Sequence, residues 1–381
     1  YDSLCTYALL AIPAVVFTDV LGPLVRPYGI ALTLQDTGLL FSRFIPVVTT
    51  CIALGMFWIV GRWRMVLRRL LPAILTGAVA GVACWGMATV DLVPLTGVVA
   101  GAAIILLLAL TLKLRGQPVY AEGRLGPEEI DAKRSMSLWK AASPWLLLLL
   151  FATLVNLKAL PFFDLLFAKL PLAAPIIPGQ PIATRVLWQA YTWVLVATLV
   201  SAVFFRPTAA QWRGVLSRTW KRAPRPVLAA AIFFAIAYVI DHSGTTAAAG
   251  TWTAHRERNM VNVLATAAAH TFGAAYGLAA PYLGLLAGFI SGSETSAIAM
   301  LSRFHLETSH ALGKTAAVGL LIAAASGIGG GLASVVSPAK LQNAAAIIDR
   351  IGEEGRVLRT TTVISLLITL LTAVLTLIWV L

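Results

Sequence analysis

Long apolar runs separated by short polar stretches organise this chain. They cover approximately 4–25, 44–61, 70–90, 92–112, 144–157, 188–205, 226–240, 259–280, 281–301, 312–333, 335–348 and 360–381. Several reach the ~18 apolar residues that mark a membrane-spanning helix. Others are too short, or too rich in Gly and Pro, for one regular crossing. The pattern predicts an all-α polytopic membrane protein with roughly 10–12 apolar segments, some of them broken or re-entrant helices. The stretch 160–181, LPFFDLLFAKLPLAAPIIPGQP, holds five prolines and cannot be helical throughout. It reads as an external loop with a short interfacial helix.

Composition agrees with the pattern. Hydrophobic residues make up 59% of the 381 and charged residues 12%, against about a quarter charged in a soluble domain. A mean hydropathy of +0.85 over this length excludes a water-soluble globule. The net charge of +13 does not point to nucleic acid, because 19 of the 29 Lys and Arg fall in 62–69, 113–140, 206–225 and 349–359. Cytoplasmic loops of membrane proteins collect basic residues in this way, and lipid headgroups are natural contacts for them. The charges therefore place 62–69, the connector 113–143, the basic loop 206–225 and the stretch 349–359 inside. The turn at Asp91 and the loop 158–187 fall outside, all within one transmembrane transport domain, 1–381. Cys5, Cys51 and Cys84 lie in apolar segments without metal-ligand or disulfide spacing and read as small buried hydrophobes. No cofactor or metal site is expected.

Ionisable groups inside apolar segments are costly and mark function. The candidates are Glu294 in GFISGSETSAIAM (288–300), Asp241 and His242 in YVIDHSGTT, His270 and Lys340. Glu294 stands among Ser291, Ser293, Thr295 and Ser296, with glycines at 288 and 292. That composition suits a helix break, where half-helix N-termini offer free N–H groups to an anion, and Glu294 would carry a proton. The alternative is a glutamate that closes a helix bundle. Asp241, His242 and Ser243 end an apolar helix, which suits either a cation or proton site or an ordinary helix end at the membrane surface. Adjacent Asp and His point to different faces and need not pair. His270 follows three alanines, 267–269, and reads as a packing residue or a base. The run ASGIGGGLASVVSPAK (325–340) is a second candidate break, its glycines permitting close helix approach or an unwound backbone. There Ser337 and Lys340 would meet a carboxylate, or Lys340 would snorkel to the interface.

LAAPYLGLLAGFISGSETSAIAML (278–301) resembles the second signature of the L-lactate permease family of bacterial transporters. Pro281, Gly284, Phe289, Gly292, Ser293, Thr295 and Ser296 match it, with Glu294 at the acidic position. AIAYVIDHSGTT (235–246), GGGLASVVSP (329–338) and ASPWLLLLLFATLVN followed by LPFFDLLF resemble further stretches of the family. The resemblance implies an inverted-repeat, proton-coupled importer of lactate and related 2-hydroxymonocarboxylates in the bacterial cytoplasmic (inner) membrane. Its partners would be a small organic anion, protons and the lipid bilayer. The chain departs from the family at Ile298 and Ser326, where Asn is usual, and at Ser334 and Ala339, where Lys and Gln are usual. The family's earlier Gly-rich signature is missing, so a chain lacking the N-terminal part of the first repeat is expected.

Three functions remain in view. The first is proton symport of a lactate-like anion. Ser291, Gly292, Ser293, Thr295, Ser296, Ser243, Ser337 and Lys340 would bind substrate, and Glu294, Asp241 and His242 would couple protons. The second is sodium-coupled transport of another organic anion through the same breaks. The third is an intramembrane serine hydrolase with a Ser–His pair, against which stands the absence of a G-x-S-x-G elbow.

Overall fold

A computed structural model describes residues 11–119, 130–131, 135–177, 180–248, 251–347 and 352–380. Cys5, residues 120–129 and 132–134 of the connector 113–143, and residues 349–351 of the stretch 349–359 lie outside the described residues. The chain forms two compact units, residues 1–101 with 224–381, and residues 102–223. Among the described residues, seven helices are long and apolar enough to cross a membrane, and the protein is an all-α polytopic membrane protein. The physical reason is that hydrocarbon offers no partner to a peptide group, so each crossing segment must satisfy its own N–H and C=O groups.

In the first unit, α1 (Ala11–Val25) and α2 (Leu34–Ser42) precede α3 (Ile45–Arg68) and α4 (Leu70–Thr89). A capping box of Thr33 and Asp36 starts α2. The backbone of α3 leaves helical geometry at Gly61 and Arg62, where the apolar run ends. Thr96–Leu114 (α5) continues the chain into the second unit.

The second unit pairs α6 (Leu138–Asn156) with α7 (Ala190–Phe205). The indole N–H of buried Trp188 donates to Asn156 Oδ1 at 2.9 Å and ties their ends. Between them the proline-rich stretch forms a helical turn at Pro161–Phe163, a wider turn at Asp164–Lys169 and an antiparallel hairpin, β1 (Leu172–Ile177) with β2 (Gln180–Thr184). Side-chain contact with Asp164 raises the Lys169 pKa. The basic stretch 206–225, expected as a loop, contains a helix, α8 (Ala209–Arg222), started by a Thr208–Gln211 capping box.

The first unit resumes with α9 (Pro224–Asp241), a second hairpin of β3 (Thr245–Ala248) and β4 (Thr251–Ala254), and α10 (Met260–Phe272). Then come α11 (Tyr276–Ser291), α12 (Glu294–Ala311), α13 (Ala316–Leu332), α14 (Pro338–Ile347) and α15 (Glu354–Val380). The hairpins escape a hydropathy reading because a window of about 19 residues smooths over strands this short.

The core of this unit is α13, buried along almost its whole length against α11, α12 and α15. Its glycines resolve the choice left open above: Gly327, Gly329, Gly330 and Gly331 are helical, and they buy close approach. A Cβ on Gly329 would stand 2.0 Å from the Pro281 carbonyl oxygen, and one on Gly288 would stand 2.4 Å from that of Gly330. The 280/281 boundary drawn from the sequence falls inside α11, which runs through Pro281. The backbone instead breaks at Gly273 and at Gly292, both at positive φ. Apolar residues flank 280/281 on both sides, so hydropathy carries no information about where the helix stops.

Candidate functional site

The signature segment is a helix break. Gly292, at φ 68°, caps α11 with its N–H on Gly288 O at 2.8 Å, a left-handed conformation that glycine adopts without strain. Ser293 turns to extended geometry and caps α12, its Oγ accepting the Ser296 N–H at 3.3 Å. Ser291 Oγ donates to Ser293 O at 3.1 Å and accepts the Ser293 N–H at 3.3 Å. Two of the four hydroxyls therefore build the break. Glu294 and Thr295 occupy the first two positions of α12, where amides have no acceptor within a helix and the dipole favours negative charge.

The second break comes to the first. After α13 the chain makes a tight turn at Ala333–Val335 and restarts at Pro338. A Cβ on Gly330 would lie 3.7 Å from Glu294 Cα, and one on Gly288 would lie 2.8 Å from the Ala333 methyl. Ser334 and Ser337 are buried, and the Ser337 hydroxyl has no hydrogen-bond partner among the described residues. Lys340 donates to Ser334 Oγ at 2.6 Å and stands near enough to act electrostatically on Glu294.

Glu294 is 9% exposed and lines a cavity of about 100 Å³. That is several times the ~10–15 Å³ a single water needs by the same measure. The walls are aliphatic side chains of α3, α13 and α15, among them Val48, Ile52, Leu332, Ile364 and Ile368. Thr361 and Ser365 add hydroxyls, but these bond to the Val357 and Leu332 carbonyls. Among the described residues, Glu294 is the only ionisable one lining the cavity. The arrangement places one carboxyl and one nearby ammonium at converging helix ends beside an apolar chamber, which suits a small anion with a short aliphatic part and a proton.

Asp241, His242 and Ser243 are elsewhere. Asp241 Oδ1 accepts from Arg303 Nη1 at 2.8 Å, and its carbonyl accepts from Arg303 and from Asn259 Nδ2. His242 Nδ1 lies 2.9 Å from Tyr238 O with the two rings stacked, and 4.0 Å from Asp241 Oδ2. Ser243 Oγ accepts the Met260 N–H and donates to Ile240 O, both at 2.8 Å. These contacts join the end of α9 to α10 and α12. Arg303 follows Glu294 by nine residues, roughly 13 Å along the helix. Of the three stretches expected to form a site, 291–296 and 334–340 thus lie together, and 241–243 packs instead against Arg303 and Asn259. His270 is exposed at the end of α10.

The sequence reading stopped its segment at residue 301 and so missed the polar half of α12. Ser302, His305, Thr308 and Ser309 are all buried. Tyr276 Oη lies 2.6 Å from His305 Nδ1, while His305 Nε2 and Ser302 Oγ have no partner among the described residues. Arg256 pairs with Glu307, and Tyr28 Oη lies 3.3 Å from His310 Nδ1. Glu294, Ile298, Ser302, His305 and Ser309 recur at three- and four-residue steps on one face. That periodicity was the available signal. Among the described residues no cluster of three metal-ligating side chains occurs.

The L-lactate permease family matches residues 7–381. L-lactate permease of Escherichia coli (strain K12) is 24% identical over 371 residues, covering 90% of this chain and 64% of that protein. L-lactate permease of Salmonella typhimurium (strain LT2) has 24% identity over 370 residues, with the same shares. The Bacillus subtilis (strain 168) L-lactate permease is 28% identical over 202 residues, covering 52% of this chain and 32% of that protein. The chain thus spans just under two-thirds of the length of the first two relatives. No solved structure matches it. Because the match runs through nearly every helix described above, the chain belongs to the L-lactate permease family.

Proposed function

We propose that this chain is a secondary transporter that imports L-lactate or related small 2-hydroxymonocarboxylates across the bacterial inner membrane by proton symport. The observation that carries the reading is Glu294, a buried carboxyl at the N-terminus of α12 and, among the described residues, the only ionisable group lining the apolar cavity. Family membership and the substrate named for the relatives point the same way.

The substrate carboxylate would meet the free amides at 294 and 295 and the Lys340 ammonium, with Ser337 Oγ as a further donor. Its short aliphatic end would face the α3 and α15 side chains. A proton on Glu294 would neutralise the loaded site, since an ionised carboxyl beside a carboxylate inside hydrocarbon is costly. Residues 1–381 would act as one transport domain, with 113–143 and 206–225 cytoplasmic and 158–187 external.

Labelled L-lactate uptake into proteoliposomes, under an imposed proton gradient and then an imposed sodium gradient, tests this. Accumulation with protons alone is expected. Accumulation that follows sodium instead would replace the coupling ion, and no accumulation of lactate under either would overturn the reading.

A further inference from the structure

We propose that α8 is an interfacial helix that binds anionic phospholipid headgroups, anchoring the second unit to the leaflet it faces. Of residues 209–221, only Trp212 and Gly214 are half-buried and the others are exposed. At 100° per residue, Trp212, Val215, Leu216 and Trp220 share an arc of about 140°. Leu216 is 62% and Trp220 80% exposed. A soluble protein does not leave such a stripe open without a partner.

Chemistry and tether both identify that partner as an acidic membrane surface. Arg213, Arg218 and Lys221 lie at the edge of the apolar arc or beyond it, and the whole stretch 206–225 holds six basic residues and no acidic one. Trp and Leu against Arg and Lys is the composition of a helix lying in the plane of an acidic membrane surface. Only three residues separate Phe205, the last of apolar α7, from Ala209. Thr208 and Gln211 fix the turn with a capping box, so the helix starts rigidly where the apolar segment ends. At about 1.5 Å per residue it covers roughly 21 Å of that surface.

The test uses the full chain, with Cys5, Cys51 and Cys84 replaced by Ser, reconstituted in phosphatidylcholine membranes with and without phosphatidylglycerol. An environment-sensitive fluorophore is attached at Leu216→Cys or, on the polar side, at Ser217→Cys. We expect the 216 label to be quenched by brominated lipid and shielded from iodide, and the 217 label to show the reverse. Phosphatidylglycerol should deepen the contrast. Its effect should be lost in Arg213→Gln/Arg218→Gln/Lys221→Gln, and in the unmutated basic face at high salt, which screens charge without touching the fold. Equal iodide access at 216 and 217 in both membranes would overturn the proposal. So would shielding of 216 without lipid quenching, which would mean that protein covers the helix, and so would indifference to phosphatidylglycerol.

Discussion

Gly284 of α11 lies directly against Ser326 of α13: a Cβ at 284 would stand 1.9 Å from the Ser326 carbonyl oxygen. The two helices touch backbone to backbone there, eight residues before the break at Gly292 and on the buried core helix α13. Gly284→Ala must push α11 and α13 apart, and overpacking of this kind costs about 1–3 kcal/mol or more. We expect a lower melting temperature by fluorescence-detected size exclusion and reduced uptake. Gly86→Ala, where nothing lies within 4 Å of the added methyl, is the matched control and should melt normally.

Glu294→Gln keeps the shape of the side chain and removes its exchangeable charge. If Glu294 carries the coupled proton, the variant should lose proton-driven accumulation of lactate and retain lactate–lactate exchange across the same vesicles. Normal accumulation would show that the proton travels elsewhere.

Asp241 and Arg303 are predicted to matter for stability rather than for coupling. Asp241→Asn weakens a charge-assisted contact that joins α9 to α12, worth about 2 kcal/mol in typical cases. The expected result is a lower melting temperature with a normal proton dependence of uptake per folded molecule. The exchanged pair Asp241→Arg/Arg303→Asp should recover part of the loss. A change of coupling ratio in Asp241→Asn would return this residue to the transport site.

Tyr276→Phe tests the buried contact to His305. It removes the hydroxyl beside Nδ1 and leaves an imidazole with neither nitrogen bonded to protein. An unsatisfied buried polar group costs about 1–3 kcal/mol. A clear fall in melting temperature is expected, and an unchanged melt would mean that water already serves this ring.

Much of this protein could be read along the chain. Hydropathy alone determines that it is a polytopic helical membrane protein, because a run of apolar residues has one low-energy fate in hydrocarbon. The spacing in GFISGSETSAIAM foretold a break, since Gly292 accepts positive φ and Ser293 caps a helix, and both effects are local. Tertiary structure decided what those effects leave open. Glycines at 327, 329, 330 and 331 permit either an unwound backbone or a closely packed helix, and only the arrival of α11 at their backbone selects the second. Asp241 and Glu294 look alike in sequence, as acids beside hydroxyls and glycine in otherwise apolar surroundings. One found a guanidinium from α12, and the other faces a cavity walled by α3, α13 and α15. Partners that lie tens or hundreds of residues away make that difference, and no local pattern of apolar and polar positions encodes them.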